Sequence, residues 1–202
     1  MIVAIEGPSA AGKTTWCRAR FPDHVSETTQ SIAAPDLFAY PVEGARFWVD
    51  HAIQNWTNAL DIERRHGLAV CDGDPFHLYF SLALWRSGAM DRNLFDNETG
   101  LYRGALERRQ IGFVDHVLWI GVPEDELRRR AQADTSRRRK RHEMYLALVP
   151  WMKKWFEARD RVLAGTVTAL KDDTRVENLK PLPESQRYEG RLLDKILATF
   201  DS

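Results

Sequence analysis

The segment Gly7-Pro8-Ser9-Ala10-Ala11-Gly12-Lys13-Thr14 sets two glycines, a lysine and a hydroxyl residue at the spacing G-x-x-x-x-G-K-[ST]. That spacing suits a phosphate cradle. Glycines let the main chain close around an anion, and a following helix adds its positive end. Gly7, Ser9, Ala10, Ala11, Gly12 and Thr15 are expected to line a triphosphate. Lys13 would bridge its β- and γ-oxygens, and the Thr14 hydroxyl would ligate Mg²⁺. The loop is preceded by an apolar run, Ile2 to Glu6, and followed by the amphipathic Lys13 to Phe21. Strand, loop and helix therefore come in the order this chemistry requires.

Two acids stand where an apolar strand ends, in Leu68-Ala69-Val70-Cys71-Asp72-Gly73-Asp74-Pro75. At the carboxyl edge of a parallel sheet, Asp72 would hold Mg²⁺ with Thr14 or accept a proton from an attacking hydroxyl. Asp74 reads either as a substrate contact or as the cap of a helix restarting after Pro75. Glu27 ends a second short strand, His24 to Thr28. It is a candidate for orienting an acceptor hydroxyl and taking its proton, and an ordinary surface glutamate is the alternative.

Between Arg128 and Arg141 lie eight basic residues and one acid. Arginines closing over a transferring phosphoryl group can neutralise it through paired hydrogen bonds while water is excluded. Arg137 and Arg141, four apart, would share a helix face, and Arg138 is a further candidate for the nucleotide. A solvated helix face is the plain alternative.

These groups need a frame, and the hydropathy pattern supplies one. Apolar segments at Ile2–Glu6, His24–Thr28, Gly67–Asp72, Val114–Val122 and Gly165–Leu170 alternate with helical patterns at 44–65, 76–86, 144–163 and 188–200. Arg92 to Gly112 reads as a loop followed by a helix. The expected fold is α/β, three layers around a mainly parallel five-stranded sheet. Residues 1–202 would form a single domain with a lid at about 128–143.

The 202 residues carry 29 basic and 29 acidic side chains, a formal net charge of zero. Binding to nucleic acid at large needs a basic excess, and the arginine run has no aromatics interleaved with it, so a nucleic-acid partner is not expected. No apolar stretch is long enough to span a membrane, and the first residues lack a signal-peptide pattern. Cys17 and Cys71 are expected to be thiols in a reducing cytoplasm. His51, His77 and His142 lack a metal-ligand spacing. Trp151 and Trp155 read as core. Neither Asn-Lys-x-Asp nor Asp-x-x-Gly occurs, which argues against a GTP-driven switch.

With these residues in place, the chain resembles the deoxynucleoside kinase and thymidylate kinase group of P-loop kinases, sharply at 7–14 and thinly over the rest. The resemblance implies an ATP- and Mg²⁺-dependent transfer of the γ-phosphoryl group to a small-molecule hydroxyl. Glu27-Thr28 looks like the Glu-Pro pair whose glutamate is the base in deoxynucleoside kinases. Arg46-Phe47-Trp48-Val49-Asp50-His51-Ala52-Ile53-Gln54 is similar in character to their base-facing helix. It makes Trp48, His51 and Gln54 substrate candidates, with a core aromatic face as the alternative. The 137–142 run followed by Tyr145, Trp151 and Trp155 looks like their lid and lid helix. One departure stands out: where those families place Glu-Arg-Ser or Asp-Arg-Tyr, this chain has Asp72-Gly73-Asp74, which also suits a sugar-like or antibiotic-like acceptor. A regulatory ATPase and a nucleic-acid-end kinase are the rival functions, and the sequence leaves a homodimer open.

Overall fold

A computed structural model describes residues 1–27, 41–134 and 141–202, with the backbone alone at Glu27 and Pro41. Five parallel strands form one sheet in the order β2-β3-β1-β4-β5: β1 (Ile2–Glu6), β2 (Val25–Glu27), β3 (Ala69–Asp72), β4 (His116–Trp119) and β5 (Val167–Ala169). β1 is central and wholly buried, pairing Ile5 with Asp72 of β3 and Glu6 with Trp119 of β4. A strand covered on both faces must be apolar throughout, which is why IVAI shows no polar alternation.

Its side chains still divide by period two. Ile2 and Ala4, with Ala69, Cys71 and Val117, face a thick core made by α2 (Pro41–His66), α3 (Leu78–Arg86), α4 (Arg92–Glu107), α6 (His142–Val162) and α8 (Gly190–Asp201). Val3, Ile5, Val70 and Leu118 face a thinner layer, Cys17 of α1 (Lys13–Arg20) and Val176 of a short 3-10 turn. The three layers agree with expectation. Trp155 lies in the core, and Cys17 and Cys71 are both buried with no disulfide.

Two features differ from the sequence reading. α4 is already helical at Arg92, where a loop was expected, because the Asp91 carboxylate caps the helix by accepting from Asn93 N (2.7 Å). The buried Phe95, Glu98, Thr99, Tyr102 and Ala105 then recur at helical spacing among the polar residues that suggested a loop. The fourth strand is also short, because only His116–Trp119 find partners on β1.

Buried charge fastens the amino end of the sheet. The Arg187 guanidinium grips Asp115 (2.6 and 2.9 Å) and Glu63 (2.7 and 3.0 Å), and Asp115 also accepts from Ile2 N and Leu182 N. At the far edge, Val117 N donates to Thr166 O and Leu170 N to Trp119 O, so Val167 N points away from β4. Asp160 of α6 accepts it there (3.0 Å). No helix among the described residues is long and apolar enough to cross a membrane.

Glu98 is buried between α3 and α4, where Ser81 Oγ donates to it (2.8 Å). Burial outweighs that bond and lifts its carboxyl to about 7. Its folded pKa thus lies above its unfolded one, so the favourable protonated form is lost as pH rises from about 4.5 through about 7. Glu98→Gln should remove this dependence, leaving the variant more stable than the parent above pH 7 by on the order of 3 kcal/mol. Urea unfolding at pH 5 and pH 8 measures the difference.

Candidate active site

All five strands present their carboxyl ends at one edge. The glycine loop 7–14 leaves β1 there, where chain order diverges to β3 on one side and β4 on the other. Gly7 has φ +148°, and a Cβ on it would lie 2.6 Å from Ile120 O, so the loop can pass β4 only with glycine. Gly12 (φ 97°) and Ala10 (φ 71°) are both left-handed, and Ala11 N donates to Pro8 O (3.2 Å). Helix α1 opens at Lys13 with no side-chain cap and no acid in its first turn. Such a helix start favours an anion. The Lys13 ammonium donates to Gly7 O (2.7 Å) and Pro8 O (3.2 Å), so it lies over its own loop. Ser9 is half-buried and Thr15 exposed beside it.

Thr14 Oγ1 donates to Asp72 Oδ2 (2.5 Å). A hydroxyl and a carboxylate side by side are hard oxygen donors, and this pair fits Mg²⁺. Glu27 lies opposite Asp72 in the strand register, so the ends of β2 and β3 are neighbours.

Asp74 goes elsewhere. Gly73 (φ 102°) turns the chain, and Asp74 enters the interior. There its Oδ1 accepts from Phe76 N (2.9 Å) and its Oδ2 meets Arg159 Nη1 (3.2 Å), both side chains 1% exposed. Asp74 does not cap α3, whose N-cap is His77 with no side-chain cap; its carboxylate closes a turn two residues on, ahead of the helix, and pairs with Arg159. Burial pushes the Asp74 carboxyl up to about 7; Arg159 pulls the other way and Glu6 adds to the rise.

Near the loop, within reach of the Lys13 ammonium's charge, stands an aromatic wall. Trp48 of α2 stacks on His77 at the start of α3 (centroids 6.0 Å, 25°) and meets His51 edge-on. His77 stacks on Phe80, and Phe80 reaches Tyr145 of α6. Burial, then the nearby His51 and Lys13, lower His77 to about 4, so its ring is neutral at pH 7. Trp48 and His51 are brought to this wall. Gln54 is exposed, bonded to Asn58 one turn along its own helix (2.9 Å).

The basic run divides. Helix α5 (Glu124–Ala133) carries Arg128, paired with Glu124 and Glu143, and Arg129, paired with Glu126. Arg130 also holds Glu126 and donates to Ala11 O of the phosphate loop (3.1 Å). Arg141 is exposed at the start of α6, while Arg137 and Arg138 lie outside the described residues. Sequence reasoning assigned no role to Glu6, Arg130 or Arg159. Glu6 carried a usable signal, an acid closing an apolar strand, as at Asp72. Arg159 carried none, since one arginine in an amphipathic helix reads as surface.

A parallel sheet in the order 2-3-1-4-5 with a glycine loop after the central strand is a fold this chain shares with solved deoxynucleoside kinase structures. Among solved structures, deoxyadenosine kinase from M. mycoides with bound dATP matches at TM-score 0.61 and 12% identity, over 100% of both chains. The same enzyme with bound dCTP gives 0.55 and 13%, over 100% of this chain and 99% of that one. With products dCMP and a flexible dCDP it gives 0.53 and 12%, over 100% and 97%. At such identity the likeness is one of fold. No protein-family model and no curated protein matches the chain.

Asp74→Ala should cost about 3–5 kcal/mol, because it strands a buried guanidinium. Adding Arg159→Met should recover most of that loss, as read from urea-unfolding midpoints.

Proposed function

We propose that the chain is a single-domain ATP- and Mg²⁺-dependent kinase that passes the γ-phosphoryl group to a hydroxyl of a nucleoside-like acceptor. One observation carries this reading: the glycine loop with its Thr14–Asp72 pair lies near a run of stacked rings, Trp48, His77, Phe80 and Tyr145, with the Lys13 ammonium close enough to bear on His77. Stacked rings suit a flat, uncharged base. A polycationic antibiotic would want several carboxylates, and Asp74, the second acid that favoured such an acceptor, is spent on Arg159. A neutral His77 adds no charge to the wall.

In the proposed reaction the acceptor oxygen attacks the γ-phosphorus as the bond to the β–γ bridging oxygen breaks, releasing ADP. The acceptor proton passes to a carboxylate at the ends of β2 and β3, Glu27 or Asp72. Lys13 and the start of α1 neutralise the phosphates. Thr14 and Asp72 would hold Mg²⁺, which supplies charge to the β- and γ-oxygens when bound. Arg130, already on the loop, is placed to keep Ala11 and Gly12 in position. Arg137, Arg138 and Arg141 are proposed to close over the transferring group as parts of a lid spanning about 128–143.

ADP release with MgATP should be slow alone and rise at least about 10²-fold with deoxyadenosine, deoxycytidine or thymidine, since positioning the acceptor is worth that much or more. Lys13→Ala should lower the stimulated rate by about 10²–10³-fold while the fold survives. Stimulation by kanamycin or a hexose, with none by any nucleoside, would refute the acceptor assignment. Absence of MgATP binding in calorimetry would refute the kinase.

A further inference from the structure

We infer that Glu6 is a positioning residue for phosphoryl transfer, its carboxylate setting the spacing between the phosphate loop and the acceptor wall. The inference rests on the kinase reading above and extends it to a residue that touches neither substrate.

Glu6 is 1% exposed. A carboxylate so buried is costly unless donors satisfy it. Three do, from three different segments. Gly7 N, the first amide of the loop, donates to Oε2 (3.1 Å); Asp74 N and Tyr79 Oη donate to Oε1 (2.6 and 2.7 Å). The ladder explains the arrangement. Pairing of β1 with β3 ends at Ile5 and Asp72, with Gly73 N still donating to Ile5 O (3.1 Å). By strand alternation Asp74 N would face β2, as Val70 N does, but the left-handed turn at Gly73 brings it to the Glu6 carboxylate instead. Meanwhile Glu6 O accepts from Ile120 N (2.7 Å), which seats Gly7 against β4.

Each tie leads to a working part. Gly7 opens the loop over which Lys13 lies. Asp74 is two residues from Asp72, the partner of Thr14. Tyr79 lies between His77 and Phe80 of the acceptor wall. An apolar residue would fill the same space and connect none of them. A misplacement of about 1 Å between reacting groups costs roughly 10²-fold in rate. A group that joins the donor side to the acceptor side should therefore act on turnover more than on binding.

Glu6→Gln isolates the effect. Its carbonyl can still accept from Asp74 N and Tyr79 Oη, but its NH₂ meets the Gly7 N–H as donor against donor. With MgATP and the most effective of deoxyadenosine, deoxycytidine and thymidine, kcat per folded protein should fall about 30- to 100-fold. Both KM values should stay within about threefold, since uniform binding is untouched. ADP formed without nucleoside monophosphate should become a larger share of the total. Tyr79→Phe should lose less, and the double variant should lose less than the product of the two, as for residues sharing one network. A kcat within twofold of the parent together with a lowered Tm would reduce Glu6 to a structural filler and overturn the proposal. A raised KM for ATP at unchanged kcat would overturn it equally.

If the parent phosphorylates no nucleoside, the preceding reading falls, and amide exchange judges Glu6 alone. The Mg²⁺ complex of AMP-PNP should slow exchange at Asp74 and Tyr79 in the parent and not in Glu6→Gln. Equal slowing in both would overturn the link.

Discussion

A parallel sheet delivers the ends of all its strands to one edge, and in this chain β1, β2 and β3 end in Glu6, Glu27 and Asp72, with Asp74 just beyond. Glu6, Asp72 and Asp74, the three whose side chains are described, are buried close together, and carboxylates so placed repel one another and resist losing water. The site depends on giving each a separate partner. Glu6 takes two amides and a phenol, Asp72 takes the Thr14 hydroxyl, and Asp74 takes Arg159. The high position of the Asp74 carboxyl, raised by burial and by Glu6 beside it, records what crowding remains. Only Asp72 among the three is partnered by the phosphate-loop helix itself.

That partition explains how different parts of the chain contribute to one edge. α3 carries Phe80, with His77 at its N-cap, into the ring cluster, and Asp74 closes the turn that precedes it. α6 brings Tyr145 at its beginning and Arg159 near its end, so one helix both joins the ring cluster at Phe80 and pairs with the buried Asp74. α5 leans Arg130 on the loop from the other side. The low proton affinity of His77 fits these surroundings, because buried aromatic neighbours and the Lys13 ammonium both disfavour a second cation.

Much of this was legible in the residues. Apolar runs bounded by glycine marked the strands, and the loop motif marked its own place on the sheet. The direction of Asp74 was not legible. Two positions along a strand restore the same face, so Asp72 and Asp74 read as a pair aimed together. The left-handed turn at Gly73 breaks that period, and a glycine does not announce which conformation it adopts. α2 illustrates a second limit. Trp48 and His51 reach the wall while Gln54 turns outward to Asn58, since a helical stripe narrows to the residues its neighbours cover. The first turns of α4 were hidden by their polar composition, although Asp91 marks where the helix begins.

The Asp160 carboxylate on Val167 N has an outcome beyond the chain's own interior. A bare rim of a sheet offers its amides to any passing polypeptide and so seeds fibrils. With that donor already engaged by α6, a sixth ribbon laid against the rim would find its docking rhythm interrupted at the first rung, and stacking of molecules end over end is discouraged without the help of a proline or an added lysine.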